Sequence, residues 1–132
     1  MKSKYLDNAV RMADAIVRTA GEHESFLLFV HKNVDGDCVG AACGMAQVLR
    51  NNGYKADVAL SEKLPDSMDF MGVDDLLIDP MGHADRLAES NYMPFATVCS
   101  ESHRMGKSGR FFECGRTPLI IDHHVSVSLK DD

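Results

Sequence analysis

An open, mostly parallel α/β sheet with helices on both faces is the fold class this sequence predicts, and three observations predict it. Two short apolar runs without alternation, Phe26-Leu-Leu-Phe-Val30 and Leu119-Ile-Ile121, read as strands buried on both faces. Segments with apolar residues at three- and four-residue spacing lie between the strand-like runs, as crossover helices do. The unit made of strand 26–30, helix 39–52 and strand 55–60 has about the minimal length of a right-handed parallel crossover.

Each element rests on its own residues. Leu6, Val10, Ala13, Ile16, Val17 and Ala20 fall on one helical face, so residues 4–20 are expected to form an amphipathic helix that stops at Gly21. The first strand ends at His31, and a polar, turn-prone stretch runs through Asp37. From residue 39 the pattern is helical, with Ala42, Met45, Ala46 and Leu49 on one face, until Asn51-Asn52-Gly53 ends it. Residues 55–60 form the second strand, with Ala56, Val58 and Leu60 alternating.

Beyond this unit the pattern loosens. Leu64-Pro65 marks a turn, 68–71 a short helical turn, and 76–78 a short strand or a helix cap. Asp79-Pro80 breaks the chain, 84–89 suits a small helix, and 95–98 a strand. Residues 102–115 combine turns with some helix, and Thr117-Pro118 leads into the strand 119–121. The clustered methionines Met68, Met71 and Met81 are expected to fill gaps in the core. His23 and His83 read as surface residues.

The 132 residues suffice for one domain with a core of its own. A formal charge of −6, from 20 acidic and 14 basic residues, argues against gripping nucleic acid mainly through its phosphates. A short anionic substrate stays compatible, because bound cations would supply positive charge locally. Four cysteines (Cys38, Cys43, Cys99 and Cys114) show neither CxxC pairing nor a secreted-scaffold spacing, so free thiols and a reducing cytoplasm are expected. No stretch approaches the roughly 20 apolar residues of a membrane span, so no membrane partner is expected.

Two strands end directly in metal-competent side chains: the first in His31, Asp35 and Asp37, the second in Asp122, His123 and His124. In open α/β sheets ligands gather at the carboxyl ends of strands. Imidazole with carboxylate suits first-row divalent ions such as manganese better than calcium. Asp35 and Asp37 flank Gly36, which has no side chain to block an approaching ion or phosphate, and each carboxylate can address a different ion of a pair roughly 3.5–4 Å apart. His123 and His124, adjacent in an extended chain, would point to opposite sides, one to metal and one to substrate. Alone, either cluster reads as an ordinary polar turn; both at strand ends in one short chain point to a site.

The segment His31-Lys-Asn-Val-Asp35-Gly-Asp37-Cys-Val-Gly40 resembles the first motif of the DHH phosphoesterases, His-x-Asn-x-Asp-Gly-Asp-x-x-Gly. Ile120-Ile-Asp122-His123-His124 resembles the motif that names that family. The likeness covers roughly residues 20–126 and is greatest to the oligoribonuclease and phosphoadenosine-phosphate phosphatase branch. It implies a single DHH-type N-terminal domain over residues 1–132, acting on short oligoribonucleotides or nucleotide phosphates with two manganese ions, or magnesium in their place. Carried over by position, His31 and Asp35 would bind one ion, and Asp37 and His123 the other. The resemblance assigns His124 to the scissile phosphate, gives Asp122 the orientation of the histidines, and matches the family's substrate-binding arginine with Arg104, ahead of Gly106. A surface helix residue is the other reading of Arg104.

The sequence departs from that pattern twice. Val98 stands where the family has the aspartate that bridges both metals; Cys99 is a poor substitute for an oxygen ligand, and Glu101 or His103 would need a shifted backbone. The family's fourth motif and its second, substrate-binding domain lie beyond the DHH triplet, so the domain is expected to be C-terminally truncated, with Asp131 and Asp132 a frayed end. A sheet left uncovered after 119–121 would expose apolar surface and favour homo-oligomers. Two alternatives to the phosphoesterase follow: pyrophosphatase or exopolyphosphatase chemistry on the same motifs, and an inactive or partial domain.

Overall fold

The run at 26–30 becomes strand β1 (Ser25–Phe29), and it takes an interior position in the sheet. The computed structural model describes residues 10–11, 13–18, 21–23, 25–31, 36–60, 62–97, 102–114, 118–121 and 128–129, with backbone alone at 37, 69–71, 102–103, 121 and 128–129. In chain order the remaining strands are β2 (Ala56–Ala59), β3 (Leu77–Ile78), β4 (Tyr92–Thr97), β5 (Leu119–Ile121) and β6 (Ser128–Leu129). Among the described residues they form one sheet in the order β3-β2-β1-β4-β5-β6. β1 to β5 are mutually parallel, and β6 runs antiparallel to β5. The helices are α1 (described at 10–11 and 13–18), α2 (Gly36–Asn51), α3 (Ala84–Glu89) and α4 (Gly109–Phe112).

Alternation along β1 divides the core into two layers. Phe26, Leu28 and Val30 pack with Ala15 of α1 and with Cys38, Val39, Ala42, Cys43, Ala46 and Leu49 of α2. Leu27 and Phe29 face the other way, onto Leu87 of α3 and Phe111 and Phe112 of α4. Helices therefore cover both faces, and β1, buried on each, needs the continuous apolar run it has. Phe29 meets Phe112 edge to face, with ring centroids 5.3 Å apart. Tyr92 spans the second layer, its hydroxyl donating to the Phe111 carbonyl at 2.6 Å.

Several boundaries differ from the sequence reading. The first helical face is split: Ala15 is buried and Ile16 packs beside the core, while Val10 and Val17 are exposed. α2 begins at Gly36, three residues before the apolar periodicity, so Gly36-Asp37 opens a helix rather than completing a turn. β4 begins at Tyr92 and contains Pro94, which ordinarily argues against an interior strand. Pro94 pairs with Leu27 of β1 but precedes the first β4–β5 pair, Phe95 with Leu119, so on the β5 flank its missing N–H interrupts no ladder. β5 is not an open edge either, because Leu119 pairs with Leu129 and Ile120 with Ser128, and Leu119 and Ile120 are buried. Met68 packs against the core as expected, whereas Met81 is exposed.

The linking segments use local chemistry. Asp79 caps the turn at Pro80–His83 by accepting from the Met81 N–H at 3.0 Å. At the far end of α2, Arg50 donates from Nε to the Ala56 carbonyl (2.7 Å) and from Nη2 to Asp57 Oδ1 (2.8 Å), tying the helix to the start of β2. Among the described residues Cys38, Cys43 and Cys114 carry thiols rather than disulfides. Burial, reinforced by the Asp75 charge, pushes the Cys43 thiol above the ordinary thiol range. A thiol that stays protonated when folded but ionises when unfolded makes stability fall as pH rises past about 8.5. Cys43→Ala is expected to flatten that alkaline loss, read from midpoints of urea unfolding between neutral and alkaline pH; an unchanged slope would refute it.

Candidate functional site at the carboxyl edge of the sheet

The strand order places one crevice above all others. From β1 the chain goes to β2 and β3 on one side, then returns to lay β4 on the other, so the topology reverses between β1 and β4. The mouth between two such strands is where open α/β sheets bind ligands. The register brings the strand ends level: Phe29 pairs with Ala96, and Ala96 with Ile120. One step on, Thr97 pairs with Ile121 while Val30 follows the last β1 pair, and the next residues along the chain are His31, Val98 and Asp122. Neighbouring strands lie about 4.8 Å apart, so the end of β1 is about 10 Å from that of β5, with β4 between them.

His31 is half-buried immediately after β1. Asp37 is the second residue of α2, whose first turn therefore starts inside the motif that follows β1. Arg104 is exposed in the 3-10 stretch Ser102–Ser108, beyond the end of β4, ahead of Gly106 with its positive φ of 63°. Asp35, Asp122, His123 and His124 lie outside the described residues, as do Val98, Cys99 and Glu101, and His103 is described by its backbone alone. Among the described residues no group of three His, Cys, Asp or Glu side chains comes together. What the structure brings together is the chain: both motif segments leave the sheet at its carboxyl edge, from strands separated by one.

One group at this edge escaped the sequence reading. Thr97, the last residue of β4, is 2% exposed, and its hydroxyl has no hydrogen-bond partner among the described residues. It is in step with Met93 and Phe95, which pack in the α2 layer, so it lies on the α2 side of the sheet. A threonine ending a strand is unremarkable as sequence; only burial without a partner distinguishes it. Gly36, at the start of α2, is by contrast open: among the described residues a Cβ there would meet nothing within 4 Å.

Farther along the same edge, beyond the ends of β2 and β3, a cleft of about 240 Å³ is lined by Leu60, Glu62, Lys63, Leu77, Ile78 and Asp79. Lys63 reaches Asp66 at 3.7 Å, with both side chains highly exposed, so the pair contributes little. This cleft lies to the side of the switch point and holds none of the motif residues.

No family model and no curated protein matches the chain. Ten chains of solved structures do. One is the crystal structure of an exopolyphosphatase-related protein from Bacteroides fragilis, which superposes with a TM-score of 0.73 at 16% identity, over 89% of this chain and 36% of that one. The chain thus spans little more than a third of that protein's length, and the likeness establishes the α/β fold. Among the described residues no helix is long and apolar enough to cross a membrane.

Proposed function

We propose that the chain carries the metal-binding half of a phosphoester hydrolase of the DHH type, acting on short oligoribonucleotides or nucleotide phosphates. The observation that carries this reading is the level ending of β1, β4 and β5 at the topological switch point, where the two motif segments leave the sheet on either side of β4. The shared fold with an exopolyphosphatase-related protein supports it. The donor chemistry fits divalent cations: His31 is at the mouth of the crevice, and the orphaned Thr97 hydroxyl is at its base. On this reading His31 and Asp35 hold one cation, and Asp37 and His123 the other. A bound pair of manganese or magnesium ions would lower the pKa of a shared water and balance charge on phosphorus.

The protein's own part is positioning. Asp122 fixes the imidazole orientation by accepting an N–H. His124 and Arg104 contact phosphate oxygens, and bidentate geometry suits the guanidinium to that role. The rigid, doubly covered β1 sets where His31 stands.

A second reading has a specific observation behind it. β4 is the middle strand, so a ligand shared by ions held from β1 and β5 must come from its end, and the residue after Thr97 is Val98, not a carboxylate. Weak metal binding without turnover is the expectation of that reading. Assays with manganese on a dinucleotide, phosphoadenosine-phosphate and pyrophosphate separate the two. Turnover of either nucleotide substrate, abolished by His124→Ala, is the expected result. Metal-dependent turnover of pyrophosphate alone favours the pyrophosphatase alternative, and none at all supports the partial domain.

A further inference from the structure

We infer that Thr97 is a positioning residue whose hydroxyl holds an oxygen ligand, a water bound to a divalent cation, over the end of β4. This rests on the metal-binding reading above and deepens it. The hydroxyl is buried and has no partner among the described residues. Buried hydroxyls are almost always hydrogen-bonded, because an unmade bond leaves the desolvation cost uncompensated. A strand needs no threonine here: valine has the same branched shape, equal or better strand preference, and no polar group to satisfy. The neighbouring positions in the same row, Met93 and Phe95, are apolar and buried.

The place of the hydroxyl gives it a use. Thr97 ends the middle strand of the three that meet at the crevice, paired with Ile121 and one residue beyond the last β1–β4 pair, Phe29 with Ala96. It lies on the α2 side, the side of the helix whose first turn carries Gly36 and Asp37. An oxygen held between the β1 and β5 segments must sit above β4, and Thr97 is the polar side chain described there. A neutral hydroxyl is too weak to replace a bridging carboxylate as a metal ligand, but it accepts and donates well enough to orient a metal-bound water. With Val98 following in the chain, the middle strand contributes its polar contact one residue earlier, through a hydrogen bond rather than a charge.

The experiment compares wild type, Thr97→Val and Thr97→Ser, measuring the melting temperature without metal and manganese affinity by spin-resonance titration. Thr97→Val is expected to melt a few degrees higher without metal, since it removes an unsatisfied buried group. Its manganese affinity is expected to fall by about 10-fold or more, as when a residue supporting a metal site from outside is lost. Thr97→Ser is expected to recover most of that affinity. A Thr97→Val protein that melts lower, or does not fold, would assign the hydroxyl to folding and overturn the inference. Wild-type affinity in Thr97→Val would also overturn it while leaving the metal reading intact. Absence of manganese binding by the wild type would remove both.

Discussion

Phe29→Ala is expected to lower stability by about 3–5 kcal/mol, the range for truncating a fully buried aromatic side chain. Phe29 is 0% exposed, belongs to β1 in the sheet interior, and sets its ring edge against Phe112. Its loss opens a cavity in the layer beneath α3 and α4, which Leu27, Ala59 and Leu87 also line. Domains of this size have about 5–15 kcal/mol in hand, so the variant is expected to unfold at much lower urea or temperature, and His31 two residues on would lose its fixed base. Urea unfolding followed by circular dichroism measures the effect; a loss below about 1 kcal/mol would mean that the two layers do not depend on this contact.

Val98→Asp is expected to tighten manganese binding by at least about 10-fold, or about 1.4 kcal/mol. The estimate is conservative: at an effective dielectric constant of about 20, one added negative charge about 4 Å from a unit positive charge gains about 4 kcal/mol before desolvation is subtracted. Position 98 follows directly on Thr97 in the chain, so a carboxylate introduced there is attached to the strand that lies between β1 and β5. Calorimetric titration of both proteins decides it. Equal affinities would show that the end of β4 does not face a metal.

The parts of the fold that were legible in the sequence are those that local pattern determines. Phe26 to Val30 is apolar at every position because β1 is covered on both faces, and Ala42, Ala46 and Leu49 fall on the buried side of α2 as their spacing requires. The parts that were not legible depend on partners distant in the chain. Pro94 hid the first half of β4, since only the point where β5 begins to pair reveals that the missing N–H breaks no ladder on that flank. β6 is two residues long and exists by pairing with β5. Val10 and Val17 looked like core, but helical periodicity identifies an apolar stripe without saying how much of it a sheet will cover.

The site divides in the same way. That His31 ends one interior strand and Asp122 follows another was readable from apolar runs stopping at polar clusters. That those strands flank β4 at the switch point follows only from the strand order, and the buried, unpartnered hydroxyl of Thr97 only from the packing. The strand order also gives a physical sense to the position held by Val98: in the chain it follows directly on β4, the strand that lies between β1 and β5.

Manganese titration of the wild-type chain beside an Asp35→Asn, Asp37→Asn double variant, which preserves side-chain shape while removing two charges, tests the metal-binding crevice most directly. Binding in the micromolar range that weakens by at least about 100-fold in the variant, through loss of two anionic ligands, is the predicted result. No binding by the wild type up to millimolar manganese, or equal binding by both proteins, would contradict it.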